Sequence, residues 1–289
     1  MELDAAVVLA PNVLPAWGGG RSLLDYAAEA ALWMPLAMQV PWMADAVACI
    51  ARLAPPDALE RQAEASRKAL RALGWHKPGP GMAWRQLRRR GWPARTLGAA
   101  AFSTVFDFWL AACHCYSAAW SCAPPGRPPL GAWYAMLDAQ GCARASTPLE
   151  RALWWSDGAG IVPGAGVGIV ATEERAQTLL RLQRMLHGAR RDPRLARGRE
   201  AVRCRPPARP LPLVLVHGGA DGLIPPAFSS LPYARMLRAH GDPHTLELPA
   251  QAPHYDALLA HADPCAGLSP LLPHGFAALD RLDAALDRR

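Results

Sequence analysis

Short apolar runs and helical patterns follow one another in the last third of the chain, and their order predicts a βαβ unit. An apolar run covers residues 211–216, a helical pattern covers 232–239, and a run with strand-like alternation covers 244–248. A final helical pattern covers 275–286. Strand, helix, strand and helix in this order are typical of a parallel sheet covered by helices. We therefore predict a core of α/β class over residues 201–289.

Another strand is predicted near the beginning of the chain. The apolar run at residues 5–10 ends at a loop with two prolines, and such a strand needs partners in a sheet. We assign residues 1–16 to the same core as the C-terminal strands. Because a domain seldom begins with a buried central strand, we expect further core polypeptide upstream of this segment.

The region between these two core segments is predicted to be mainly helical. From residue 23 onwards apolar residues recur at helical spacing, and Ser22 is the expected N-cap. A second amphipathic helix is expected over residues 172–186, with Thr172 as its N-cap. We assign residues 17–200 to a large, mainly helical insertion that forms a lid over the core.

The composition fits a globular protein with a sizeable core. The chain has 289 residues, 51% of them hydrophobic and 19% charged, which is enough for one large or two small domains. Its net charge is +7, and ten arginines lie between residues 181 and 209, as nucleic-acid binding would require. No aromatic residue lies among these arginines and prolines interrupt them. We therefore predict a solvated linker before the next strand and no nucleic-acid partner.

Two apolar segments, 31–50 and 97–120, are long enough to be considered as membrane spans. The first carries Asp45 and two prolines, and the second carries Asp107 and His114. Such residues are costly inside a bilayer, so we predict buried or lid helices and no membrane span. The first residues are acidic where a secretory signal carries basic residues, so no signal peptide is expected.

Neither a metal nor a cofactor is expected from the other motifs. Cys113, His114, Cys115 and Cys122 lie close together in sequence, but no second pair of ligands matches them, so structural thiols are favoured over a metal site. The stretch 160–168 contains G-x-G-x-G without a convincing strand before it or an acidic residue at the expected later strand end. A loop near a substrate cleft is favoured there over a dinucleotide site.

The candidate chemistry lies in two loops of the predicted core. Asp221 comes five residues after the end of one predicted strand, and His254 comes six residues after the end of the next. Loops at the carboxyl ends of neighbouring parallel strands share one edge of the sheet, so these two residues are expected to meet. A carboxylate that accepts from an imidazole fixes its tautomer and stabilises the imidazolium, which makes the pair an acid–base couple. His217 is expected to pack at the strand end, with a structural role.

No nucleophile for this couple is evident in the sequence. A catalytic serine on a strand–turn–helix elbow carries the pattern G-x-S-x-G, and none of the ten serines has this context. Ser229 and Ser230 follow Asp221 on the same loop, which is poor geometry for attack, and Ser156 follows no apolar strand. None of the seven cysteines lies on such an elbow either.

Several segments resemble the D-3-hydroxybutyrate oligomer hydrolases, a family of serine esterases. The C-terminal part carries VHGGADGLIPPAFSSLPY and later QAPHYDALL. Three more segments are similar to the same family: LDAAVVLAPNVLP, SLLDYAAEAALWMPLA and DGAGIVPGAGVGIVATEERAQTLLRLQRML. The resemblance covers about two thirds of the chain and is weakest between residues 55 and 125.

The resemblance implies a partial α/β-hydrolase fold with a large helical lid insertion. It implies that Asp221 orients His254 and that His254 is the general base in the cleavage of 3-hydroxybutyrate dimers and oligomers, without a cofactor. Family members carry their serine in a Ser-Asn-Gly-Gly elbow shortly before the segment similar to LDAAVVLAPNV. The serine is therefore expected on an N-terminal half chain.

Two further expectations come from the same resemblance. Relatives include exported enzymes, which indicates a secreted or periplasmic location. The alternative to a hydrolase is a truncated, non-catalytic relative that binds oligoesters or a partner chain.

Overall fold

The computed structural model describes most of the chain, and all statements below concern the residues that it describes. These are residues 4–51, 57–124, 127–138, 142–154, 167–187, 192–256, 259 and 267–287.

Eight short strands and twelve helices are found in the described residues. The strands are β1 (Ala6–Leu9), β2 (Leu14–Pro15), β3 (Ala132–Leu137), β4 (Ala143–Arg144), β5 (Val167–Ala171), β6 (Arg203–Cys204), β7 (Leu213–Val216) and β8 (His244–Glu247). The first seven helices are α1 (Leu23–Ala37), α2 (Ala44–Ala51), α3 (Ala58–Ala72), α4 (Pro80–Arg89), α5 (Ala94–Ala99), α6 (Ala101–Val105) and α7 (Phe108–Trp120). The others are α8 (Pro148–Trp154), α9 (Arg175–Leu186), α10 (Pro193–Ala201), α11 (Ser230–His240) and α12 (Leu272–Leu286).

Three parallel strands form the sheet that carries the candidate chemistry, in the order β1-β7-β8. β7 pairs in parallel with β1 from Ala6 opposite Leu213, and with β8 from Leu213 opposite His244. This arrangement confirms the strands predicted at 5–10, 211–216 and 244–248, and their parallel direction. The assignment of the sheet to a partial α/β-hydrolase fold stays a prediction.

Helices cover both faces of this sheet, because the side chains of β7 alternate between them. Leu213 and Leu215 pack against α11, where Tyr233 and Leu237 are buried. Val216 points to the other face and packs with Ala278 of α12. A strand that is buried on both faces has an uninterrupted apolar sequence, which is the pattern of LVLV. Both covering helices were predicted, and each begins two or three residues earlier than expected.

A second and larger core lies among the helices between β2 and β6. Its centre is α1, which is buried along almost its whole length and packs against α3, α4, α7 and α9. The helix begins as predicted, since Ser22 accepts a hydrogen bond from the backbone N–H of Asp25. Ile224 and Phe228 belong to the same buried cluster. The helical layer is thus packed directly against the loop that carries Asp221.

The two long apolar segments are divided into several short helices. Residues 31–50 cover the end of α1, a 3₁₀ turn at Pro41–Met43 and most of α2. Residues 97–120 run from α5 through α6 to α7. Within the described ranges no helix has the length and apolar character needed to cross a bilayer.

The insertion also contains strands that the sequence pattern did not predict. β3 pairs in antiparallel direction with β4 and with β5, with Trp133 opposite Val170. Residues 167 and 168, expected to lie in a loop, therefore begin a strand. The preceding glycines of the 160–168 stretch lie outside the described residues.

Two local expectations in this region were wrong. The helix predicted from residue 172 begins at Arg175, and Thr172 is not its N-cap because its hydroxyl donates to the carbonyl of Gly131. The arginine-rich segment is not a plain linker, since it contains α10 and β6. Arg199 of α10 pairs with Asp25 at 3.2 Å, so part of its positive charge is compensated inside the protein.

Candidate active site

The loops that follow β7 and β8 lie side by side at the carboxyl edge of the parallel sheet. Backbone hydrogen bonds join them, from Gly219 N to Pro249 O at 2.8 Å and from Ala220 N to Ala252 O at 3.0 Å. A Cβ atom at Gly218 would lie 2.3 Å from the carbonyl oxygen of Ala252. Glycine is therefore required for the two loops to approach this closely.

Asp221 and His254 meet where these loops touch, as the sequence predicted. Nδ1 of His254 lies 2.7 Å from Oδ2 of Asp221. The carboxylate is fully buried and the imidazole is 6% exposed. Because the carboxylate accepts, the hydrogen lies on Nδ1, and Nε2 of the neutral ring carries a lone pair. This is the tautomer of a general base.

The carboxylate of Asp221 is held by four hydrogen bonds. Its Oδ1 accepts from the backbone N–H groups of Leu223 at 2.8 Å and Ile224 at 2.7 Å. Its Oδ2 accepts from the rings of His217 and His254. Burial acts to raise the pKa of Asp221, but the bonds from the two imidazoles outweigh it and hold this pKa below its usual value. Asp221 is therefore an anion in the folded protein at neutral pH.

His217 has the structural role expected from the sequence, but its bonds to Asp221 and Ile224 were not predicted. Its Nε2 lies 3.0 Å from Oδ2 of Asp221 and 2.9 Å from the carbonyl oxygen of Ile224. Both neighbours are acceptors, so Nε2 carries the hydrogen, while the buried Nδ1 has no partner. The sequence signal for this bond was a histidine at the end of an apolar strand, four residues before an acid. This spacing gives no information about the direction of the ring.

An apolar cleft of about 780 Å³ opens beside His254. Leu9, Phe108 and Ile224 are among its walls, so it lies between the sheet edge and the helical layer. The ring of Tyr255 packs edge-on to that of His254, with centroids 4.0 Å apart, and is 53% exposed. Nε2 of His254 has no hydrogen-bond partner among the described residues, and the cleft gives it access to a ligand.

None of the serines that the structure describes is placed as a nucleophile for His254. Ser229 donates to the carbonyl of Pro11 and accepts from the backbone N–H of Val13 at 2.9 Å, so it ties α11 to the loop after β1. Ser103 donates to the carbonyl of Gly222 at 3.0 Å. Ser230 is buried without a partner for its hydroxyl. No serine of the described residues bonds to His254, and Ser156 lies outside them.

The cysteines and the histidine of the sequence stretch 113–122 lie in different surroundings. Cys113 is buried, which raises the pKa of its thiol, and burial lowers the pKa of His114 to about 4. Cys115 faces the cleft and Cys122 is exposed. Within the described part of the chain, no three side chains of His, Cys, Asp or Glu lie close enough together to hold a metal ion.

Comparisons with known proteins assign no family to this site. No protein-family profile matches the chain, and neither a curated protein nor a solved structure matches it.

Proposed function

We propose that the chain supplies the acid and the base of a serine-type ester hydrolase that acts on 3-hydroxybutyrate dimers and oligomers. One observation carries the proposal. His254 is oriented by a buried, ionised Asp221 at 2.7 Å, and its other ring nitrogen has no partner beside an apolar cleft. The substrate class comes from the sequence resemblance, and the apolar walls suit a short aliphatic ester.

The pair performs the proton transfers of ester cleavage. Nε2 of His254 takes the proton of an attacking hydroxyl, whose oxygen forms a bond to the ester carbonyl carbon. Asp221 stabilises the imidazolium that results. The imidazolium then returns the proton to the leaving alkoxide, and a water molecule repeats the sequence to release the acid from the acyl-enzyme.

The open edge of β1 supports a nucleophile that comes from outside the described residues. Ala6 and Ala10 donate their backbone N–H groups to β7 or the residue before it. The backbone N–H and C=O groups of Val7 and Leu9 therefore face the outer edge of the sheet. Among the described strands, only β7 pairs with β1. A further parallel strand at this edge would end beside Leu9, which lines the same cleft as His254. A serine in the loop after such a strand would reach Nε2.

A non-catalytic binding protein is the second candidate. It is favoured by the finding that no described serine bonds to His254. In that case the cleft would hold an oligoester without cleaving it.

Hydrolysis by the purified chain tests the proposal. The substrates are the 3-hydroxybutyrate dimer and p-nitrophenyl butyrate, whose activated ester reacts with a free imidazole, and the variants are His254→Ala and the exposed His274→Ala. Cleavage of the dimer that is lost only in His254→Ala supports the hydrolase and places a nucleophile in the chain. Cleavage of the activated ester alone, lost in the same variant, supports the acid–base couple with an external nucleophile. If neither reaction depends on His254, the hydrolase is wrong and the binding protein remains.

A further inference from the structure

Asn12 and Tyr116 join the two sides of the cleft. Asn12 lies in the loop after β1, Tyr116 lies on α7, and both line the cleft beside His254. Nδ2 of Asn12 donates to the hydroxyl of Tyr116 at 3.1 Å, across a separation of 104 positions in the chain. The pair therefore places two polar groups in a wall that is otherwise largely apolar.

The hydrogen bond between them leaves donors for a bound molecule. The hydroxyl oxygen of Tyr116 accepts from Asn12, and no described residue accepts the phenolic hydrogen. If the amide is turned round, the phenol donates to the amide oxygen and both amide hydrogens are left. In either orientation at least one N–H or O–H group of this pair has no acceptor among the described residues and can donate to a ligand. Both side chains are neutral, so the acceptor that suits them needs no charge.

The charge of the cleft points to the same kind of ligand. No arginine or lysine is found among the described residues that line it. A carboxylate placed between Leu9, Phe108 and Ile224 would lose part of its hydration, and no arginine or lysine of the described lining would pair with it, which is costly. An ester carbonyl loses far less on entering such a site, and one hydrogen bond compensates it.

We infer that Asn12 and Tyr116 anchor the carbonyl group of an ester in this cleft, and that the cleft excludes a free carboxylate. The inference deepens the proposed function and rests on it for the ester class. The apolar body of the ligand lies along the walls, while the carboxylate end of an oligomer stays in solvent. The group bound in the cleft is thus a short acyl ester, and a free hydroxy acid binds poorly.

Three probes of nearly the same size test this selection without requiring catalysis. They are methyl 3-hydroxybutyrate, 3-hydroxybutyramide and the 3-hydroxybutyrate anion, titrated against the purified chain at pH 8 by ligand-observed NMR. The amide has the shape of the carboxylate without its charge, and an ester hydrolase does not consume it. We expect both neutral probes to bind at least about tenfold more tightly than the anion, because an unpaired carboxylate is costly to bury.

Matched variants test the anchor itself. Tyr116→Phe removes the phenolic donor, and Asn12→Ala removes the amide donors. The variant that loses the donor to the carbonyl is expected to bind both neutral probes about fivefold more weakly, the worth of one hydrogen bond between neutral groups. Tyr26→Phe is the control, since it removes a fully buried hydroxyl that has no partner and should leave binding unchanged.

The possible outcomes separate this inference from the hydrolase proposal. Neutral probes that bind no more tightly than the anion, or that bind both Tyr116→Phe and Asn12→Ala as tightly as the wild type, overturn the inference even if the chain cleaves esters. The expected preference in a chain without His254-dependent hydrolysis supports the inference and leaves only the catalytic proposal wrong.

Discussion

His217 and His254 bond to the same oxygen of one carboxylate, at 3.0 Å and 2.7 Å from Oδ2 of Asp221. Their second ring nitrogens are in different surroundings. Nδ1 of His217 is buried without a partner, whereas Nε2 of His254 lies beside the cleft. His217 therefore holds the carboxylate in position, and His254 is the ring that can exchange a proton with a ligand.

Replacement of His217 tests this division of roles. His217→Leu removes the donor to Asp221 and to the carbonyl of Ile224, and we expect the free energy of unfolding to fall by about 2 kcal/mol, since hydrogen bonds to charged groups are worth about 1.5–3 kcal/mol. His217→Gln keeps an N–H donor at a similar reach and should recover part of the loss. Urea unfolding measures both variants. A leucine variant as stable as the wild type would contradict the role given to His217.

The stability contributed by Asp221 should depend on pH in the acid range. Its folded-state pKa lies below the usual value, so the ionised form stabilises the native state above the unfolded-state pKa of about 4. That contribution is lost as the pH falls through the lower, folded-state pKa. Asp221→Asn replaces one carboxylate oxygen by an NH₂ group. Whichever way the amide is turned, two of the four groups that donate to Asp221 then face this NH₂ group without an acceptor.

The wild type and Asp221→Asn are compared by urea unfolding from pH 3 to pH 7. We expect the variant to be less stable by roughly 3 kcal/mol at pH 7, as when a buried charged network loses one member. The difference should shrink below about pH 4, where the carboxylate of the unfolded wild-type chain begins to be protonated while that of the folded protein is still ionised. A difference that grows as the pH falls from 4 to 3 would contradict the direction given for this pKa.

The sequence was sufficient to predict the central strands and the meeting of Asp221 with His254. Strands buried on both faces have continuous apolar runs, and their shared carboxyl edge brings the following loops together. The partner of His217 was not predictable in this way, because the ring direction depends on how the loop from Gly218 to Ile224 turns. In this loop the carboxylate of Asp221 and the carbonyl of Ile224 both lie next to Nε2 of His217. The periodicity of apolar residues carries no information about such an arrangement.

The strand β3 and the ion pair of Arg199 were not predicted, because each depends on a partner that is distant in the sequence. β3 becomes a strand because β5, about thirty residues later, pairs with it, and the same segments read in isolation have weak patterns. The charge of Arg199 is compensated by Asp25, which lies 174 positions away. Local composition therefore predicted a solvated linker where a packed helix is found.

Gly222 is required for the helical layer to approach the loop that carries Asp221. A Cβ atom there would lie 2.2 Å from the carbonyl oxygen of Ala99, at the end of α5. Gly222→Ala must push α5 and the Asp221 loop apart, and we expect a loss of about 2 kcal/mol in the free energy of unfolding, within the range for overpacking. The matched change Gly98→Ala meets no atom within 4 Å and lies within α5. It should be neutral or stabilise the protein by roughly 0.5–1 kcal/mol.

Thermal and urea unfolding of the two alanine variants give the comparison. Equal stabilities for Gly222→Ala and Gly98→Ala would show that the two layers are not in tight contact at this point.

Tyr26 has a buried hydroxyl that costs stability. The side chain is fully buried on α1, where its ring packs against Trp92 and Phe228 and its hydroxyl has no hydrogen-bond partner. Burial, and then the nearby charge of Asp221, raise the pKa of this phenol well above its usual value, so it stays neutral. In the unfolded chain the same hydroxyl is hydrated, and that hydration is lost on folding without compensation.

Tyr26→Phe removes the hydroxyl and keeps the ring contacts. We expect the free energy of unfolding to rise by about 1 kcal/mol, at the lower end of the cost of an unsatisfied buried polar group. The comparison is Tyr116→Phe, which loses the bond from Asn12 at a partly exposed site and should destabilise slightly or not at all. Urea unfolding at pH 7 measures both. A clear loss of stability in Tyr26→Phe would mean that the phenol makes a favourable contact in solution and that α1 packs differently around it.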